Sequence, residues 1–143
     1  MSKQAIQSAV RESEGSGAAH RVLVVDDHPD SAHSMTLILE ILGYEVSYAL
    51  DGRSALARAD EFQPTIAILD IGLPDMDGYT LATALRRRNP PPLLVAVTGH
   101  GDPQDRLRAL EVGFAHHIVK PVDFGILQQV LSDTPFLQGG ARR

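Results

Sequence analysis

No cysteine occurs in the 143 residues, which excludes disulfides, thiolate metal centres and a cysteine nucleophile. No apolar run approaches the roughly 20 residues that a membrane-spanning helix needs. The start, Met1–Glu14, lacks the basic segment and apolar stretch of a signal peptide, so a cytoplasmic location is the expectation. Basic residues are not in excess either. The formal net charge is −5, which argues against a nucleic-acid-binding surface. What remains is an ordinary globular mixture, long enough for one domain with a single core.

Residues 1–20 are rich in Ser, Gly, Gln and charge, and they read as a flexible arm ahead of the fold. Apolar strands and helical patterns then alternate five times. The strands are expected at Arg21–Asp26, Tyr44–Ala49, Thr65–Asp70, Leu93–Thr98 and Ala115–Val119. The helices are expected from Pro29 to Leu42, after Asp51-Gly52, over Gly78–Arg88, from Asp102 to Val112 and over Asp123–Leu131. Pro29 suits a first helical turn, Gly43 and Gly113 suit helix ends, and Asp77 suits an N-cap. Arg86-Arg87-Arg88 falls where cations favour a helix C-terminus, a simpler account than a phosphate or nucleic-acid patch. Residues 133–143 read as a tail. Strands that alternate with helices, and carry unbroken apolar runs, imply a parallel sheet covered on both faces.

Ligands of such sheets bind outside the carboxyl ends of the strands. Polar residues stand at four of those ends: Asp26 and Asp27 after the first strand, Asp70 after the third, Thr98 after the fourth, Lys120 after the fifth. Three carboxylates gathered at one edge need a cation among them. Lys120 supplies one charge, and a divalent ion would supply the rest. Oxygen ligands without sulfur point to Mg²⁺, with Mn²⁺ as the other option. Mg²⁺ keeps positions open for phosphate oxygens, and aspartate is a nucleophile in phosphoryl transfer. Asp70 is then the phosphoryl acceptor, with Thr98 and Lys120 placed to hold phosphoryl oxygens. Taken singly, each residue has a simpler role: a cap or turn aspartate, a strand-end hydroxyl, a solvated lysine. His28 and His33 read as exposed residues of the first helix, and His116 should point away from His117.

Val24-Val25-Asp26-Asp27, Leu69-Asp70-Ile71-Gly72-Leu73-Pro74-Asp75-Met76-Asp77-Gly78, Val97-Thr98-Gly99 and Val119-Lys120-Pro121 together resemble the receiver domain of two-component response regulators. The resemblance covers about residues 21–132. It implies a flavodoxin-like, doubly wound α/β fold: a five-stranded parallel sheet in the order 2-1-3-4-5 with five helices. It implies that Asp70 is phosphorylated by a histidine kinase or a histidine phosphotransfer protein. Asp26 and Asp27 would serve Mg²⁺ with Asp70, and the Gly72 carbonyl would complete the shell. Thr98 would swing toward the phosphoryl group, Lys120 would pair with it, and the Lys120-Pro121 bond would be cis. A signal would leave through the fourth helix, fifth strand and last helix, where Arg106, Arg108, Glu111, His116 and Gln128 are candidates.

Two positions vary from the family pattern. His117 stands where an aromatic switch residue is usual, three before the lysine, so the switch uses a histidine or its coupling is weak. His100, two beyond Thr98, flanks the site and would modulate phosphoryl loss. The expectation is a signalling receiver and not an enzyme, with chemistry limited to gaining and losing its own phosphoryl group. Its downstream protein is unknown, and neither nucleic acid nor membrane is an expected partner. So few residues follow Lys120 that a stand-alone receiver, one excised from a hybrid sensor kinase, or a phosphate sink are all compatible. An Mg²⁺-dependent phosphohydrolase is one rival class, beside a receiver-like module that is never phosphorylated and a flavin-binding flavodoxin. The hydrolase's usual second aspartate, two after the nucleophile, is here Gly72.

Overall fold

A computed structural model describes residues 20–99 and 103–132. The predicted arm, His20 apart, and the predicted tail lie outside the described residues, as does His100. The strands are β1 (Arg21–Val25), β2 (Glu45–Ala49), β3 (Ile66–Asp70), β4 (Leu93–Thr98) and β5 (His116–Val119). The helices are α1 (Pro29–Ile41), α2 (Gly52–Phe62), α3 (Gly78–Arg86), α4 (Pro103–Val112) and α5 (Phe124–Ser132). The strands form one sheet in the order β2-β1-β3-β4-β5, every pair parallel. Among the described residues no helix is long and apolar enough to cross a membrane.

Strand alternation divides the core into two layers. Leu23, Val25, Ala67, Leu69 and Ala96 point to one face, where Ala55 and Ala59 of α2, Leu81 and Leu85 of α3 and Ala109 of α4 pack on them. Val22, Val24, Ile66, Ile68, Val95, Val97 and Ile118 point to the other, against Met35 and Leu39 of α1 and Leu127 and Leu131 of α5. All five residues of β3 are buried, as an inner strand covered on both faces requires. Burying each such aliphatic side chain contributes about 1.5–3 kcal/mol. The same alternation sends His117 to the α2–α4 face with Ala96, and His116 to the other face with Val95, as expected.

The helix ends follow local chemistry. Asp51 accepts the Ser54 N–H at 2.8 Å and Asp77 the Thr80 N–H at 2.8 Å, so each caps its helix. Gln63 takes the left-handed conformation that closes α2 (φ 50°). The arginine run departs from expectation. Only Arg86 lies within α3, and it donates to the Val112 carbonyl at the end of α4 (3.1 Å). Arg88 donates to the Ala59 carbonyl (2.9 Å) and pairs with Asp60 (2.8 Å), both on α2. Arg21 donates to the Phe62 and Gln63 carbonyls at 2.8 Å each. These cations reach the carbonyl-rich C-terminal ends of neighbouring helices, where a positive charge is favoured, although the Ala59 carbonyl also accepts the Gln63 N–H. His20, placed in the arm from sequence, is buried, with Nδ1 3.2 Å from Thr65 Oγ1.

Candidate functional site

The parallel sheet puts the ends of β1, β3, β4 and β5 on one edge, and the polar residues gather there. Asp70 is the last residue of β3 and is 5% exposed. Asp26, just past β1, is 6% exposed, and its backbone N–H donates to the Ala49 carbonyl. Ligand oxygens of Asp26, Asp27 and Asp70 and a ring nitrogen of His28 all lie within 4.8 Å of one another. Lys120 reaches in from the end of β5, and its ammonium donates to Asp70 Oδ2 at 2.8 Å. The Lys120 N–H donates to the Thr98 carbonyl at 2.7 Å, which ties the ends of β4 and β5 together beside the carboxylates. Thr98 itself is 7% exposed. The Lys120-Pro121 bond is cis, as the resemblance implied.

Burial pulls the Lys120 ammonium toward losing its proton. The hydrogen bond and charge of Asp70, helped by Asp26 and Asp27, more than reverse this, and its pKa is raised above the ordinary lysine value. One lysine does not balance three carboxylates. Asp27 Oδ1 is enclosed and makes no hydrogen bond, although His28 Nδ1 lies 3.2 Å away. Asp26 Oδ1 accepts the His28 N–H at 2.9 Å, which fixes that carboxylate at the head of α1. An orphaned oxygen inside a compact, oxygen-rich cluster suits a hard divalent cation, so the residues present fit Mg²⁺ or Mn²⁺.

Gly72 lies on the loop after β3, its N–H donating to Asp70 Oδ1 at 3.0 Å. A Cβ added there would meet nothing nearer than Asp70 Oδ1 at 3.9 Å, so the loop leaves the carboxylate approachable. Beside the cluster, Asp26, His28, Ser34, Met35, Lys120 and Phe124 line an open cavity of about 660 Å³. His28 was expected to be an exposed helix-start residue. Its side chain is 68% exposed and it is the residue before α1, yet its Nδ1 joins the cluster, which sequence position alone does not signal.

His117 lies on the same face of the sheet as Thr98, two residues away in the β4–β5 register. Both of its ring nitrogens are enclosed and make no hydrogen bond. Burial lowers its pKa, the Arg106 charge on α4 lowers it further, and Asp105 partly opposes this. Arg108 stacks over the Tyr79 ring, 4.2 Å from its centroid, while Tyr79 meets Phe114 edge-on. This candidate surface residue is therefore also a clasp between α4 and α3.

The sequence matches the family described as "Response regulator receiver domain" over residues 22–132. It is 40% identical over 101 residues to the transcriptional regulatory protein PrrA of Mycobacterium leprae, an alignment that covers 71% of this chain and 43% of that protein. It is 34% identical over 105 residues to the DNA-binding dual master transcriptional regulator RpaA of a Synechocystis strain, covering 72% of this chain and 44% of that one. The chain thus spans less than half the length of these relatives. Among solved structures, a CheY-like receiver domain protein from Methanospirillum hungatei aligns with a TM-score of 0.76 at 29% identity, covering 85% of this chain and 98% of that one. The chemotaxis response regulator CheY4 of Vibrio cholerae aligns with a TM-score of 0.72 at 30% identity, covering 78% and 98%. With four strand-end motifs in order, the 2-1-3-4-5 sheet and these matches in agreement, the chain belongs to the response regulator receiver domains of two-component systems.

Proposed function

We propose that this receiver stores a signal as a phosphoryl group on Asp70. The observation that carries the reading is the Lys120–Asp70 contact of 2.8 Å beside an orphaned Asp27 oxygen. An Asp70 carboxylate oxygen attacks the phosphorus of a phosphohistidine whose other ring nitrogen is protonated, a P–O bond forms, the P–N bond breaks, and the ring leaves as neutral imidazole. Asp26, Asp27, Asp70 and the Gly72 carbonyl would hold Mg²⁺ or Mn²⁺, directly or through water. When bound, the ion neutralises charge on the phosphoryl oxygens. Lys120 then exchanges its hydrogen bond to Asp70 for one to a phosphoryl oxygen, and the Thr98 hydroxyl turns to donate to another. The donor is a histidine kinase or a histidine phosphotransfer protein, and self-dephosphorylation returns the free carboxylate. His100 would modulate that loss.

The receiver body runs over residues 21–132, flanked by the segments 1–20 and 133–143. Its output surface is α4, β5 and α5, which presents exposed Leu107 and Leu110 beside Arg106 and Glu111. His117 connects the Thr98 end of β4 to that surface. The transcriptional roles named for the relatives belong to whole proteins that this chain matches only in part. A net charge of −5 argues against nucleic acid on the receiver itself, so any such role would pass through a protein contact of this surface.

Incubation with Mg²⁺ and acetyl phosphate, followed by intact mass, tests the reading. The expected result is a gain of one phosphoryl group, lost in Asp70→Asn. Phosphoryl uptake by the Asp70→Asn protein would reject Asp70 as the acceptor.

A further inference from the structure

We propose that Asp75 is a positioning residue for the metal side of the site: its carboxylate clamps the β3–α3 loop to the head of α2 and so sets where the Gly72 carbonyl stands. The proposal rests on the Mg²⁺-dependent reading of Asp70 above. The loop is tied at its start, where the Ile71 N–H donates to the Val97 carbonyl at 3.0 Å. It is tied at its end, where the Gly78 N–H donates to the Ile71 carbonyl at 2.8 Å. Between those ties Asp75 reaches out of the loop. Its Oδ1 accepts the Gly52 N–H at 2.8 Å and its Oδ2 accepts the Arg53 N–H at 3.0 Å. Those are first-turn donors of α2, and the helix's own cap, Asp51, uses a different one, Ser54. The two bonds, with the Arg53 charge, hold the Asp75 carboxyl below its ordinary pKa.

A second contact seats the loop. A Cβ on Gly52 would collide with the Met76 side chain, so the bare backbone is what lets Met76 lie against α2. The helix is a fixed post, because Ala55 and Ala59 are fully buried on the sheet. A loop pinned at both ends and at Asp75 and Met76 leaves little freedom at Gly72, although Gly72 itself is exposed. Groups that hydrogen-bond a metal ligand directly typically matter about 10–100-fold for metal affinity, and a clamp that acts through the loop belongs at the low end of that range.

A mere helix cap would stabilise the fold without touching the metal, and a matched pair of variants separates the two roles. Mg²⁺ binding is measured by calorimetric titration of the full chain. Asp75→Ala is expected to weaken binding by roughly tenfold. Asp75→Asn, which keeps one acceptor oxygen, should weaken it less. Asp51→Ala, which removes the other cap of the same helix, should lower Tm to a similar extent and leave Mg²⁺ affinity unchanged. Coupling is reciprocal, so saturating Mg²⁺ should slow amide exchange at Gly52 and Arg53 in the wild-type protein. That readout needs neither phosphorylation nor a variant that folds. Equal affinity in wild type and Asp75→Ala, or exchange at those amides indifferent to Mg²⁺, overturns the proposal. A wild-type protein that binds no Mg²⁺ brings down the parent reading first and leaves Asp75 a plain cap.

Discussion

Lys120 Nζ lies 2.8 Å from Asp70 Oδ2, so the carboxylate proposed to take the phosphoryl group already holds the cation that phosphoryl oxygens would later claim. The lysine side chain is 30% exposed and the aspartate 7%. Lys120→Met would leave Asp70 buried among two further carboxylates with no counter-charge. The loss, discounted for the exposed half of the pair, should be about 1–2 kcal/mol in urea unfolding. Mg²⁺ should restore part of it, since a ligand that binds only the native state stabilises that state. Because the folded pKa of Lys120 is raised, the pair's contribution is present in full below the ordinary 10.5 and fades as pH rises through the higher folded value.

A second pH dependence comes from the histidines. Burial lowers the pKa of His20 and of His117, so in both the folded state favours the neutral ring. Between the lowered values and the ordinary 6.5, the unfolded chain binds more protons, and stability must fall as pH drops through that window. Above it the contribution is constant. The groups facing His117 from α4 are Arg106, which resists protonation, and Asp105, which favours it. Urea midpoints at pH 7.5 and 5.5 should therefore differ in the wild type, and His117→Phe should flatten the difference. An unchanged difference would mean that the ring nitrogens are not enclosed in solution.

The strands and the cluster at their ends were legible because their signals are local: an apolar run ending on a carboxylate or an ammonium, followed by turn formers, states both the element and the polar residue at its end. The sheet order came from the motif resemblance, and alternation alone correctly sent His116 and His117 to opposite faces. What stayed hidden depends on two elements meeting. Nothing within Arg86-Arg87-Arg88 says that Arg86 ends on α4 and Arg88 on α2. Asp75 reads as one more turn residue until α2 is set beside it, and His28 as a helix-start residue until Asp27 folds back toward it.

The arginines supply a prediction remote from the site. Arg88 holds the Ala59 carbonyl and Asp60, whereas its neighbour Arg87 is exposed. Arg88→Ala should cost about 0.5–1.5 kcal/mol, the net worth of a typical hydrogen bond, since water screens the charge at the exposed Asp60. Arg87→Ala should stay within about 0.5 kcal/mol of wild type. Both lie at the end of the sheet opposite Asp70, so neither should change the rate of phosphoryl uptake from acetyl phosphate.

Three glycines around Asp70 rank themselves by what an added methyl would strike. At Gly78 a Cβ would sit 2.7 Å from Ile71 Cα and 3.0 Å from the Asp70 carbonyl oxygen, both backbone where β3 runs into its loop. Gly78→Ala must push that loop off the helix, with a cost of about 2–3 kcal/mol. At Gly52 the obstacle is the flexible Met76 side chain, which can move. The nearest atom is Cγ, close to the root of that side chain, so the move unseats Met76 from α2, and Gly52→Ala should cost about 1 kcal/mol, less than Gly78→Ala. At Gly72 the nearest atom is 3.9 Å away and φ is not in the left-handed region, so Gly72→Ala should fold normally. It also keeps the backbone carbonyl, so its Mg²⁺ affinity should match wild type. Urea unfolding with Mg²⁺ titration on the three variants reads both quantities. A Gly72→Ala protein that folds but has lost Mg²⁺ would mean that something other than the carbonyl is needed at that position.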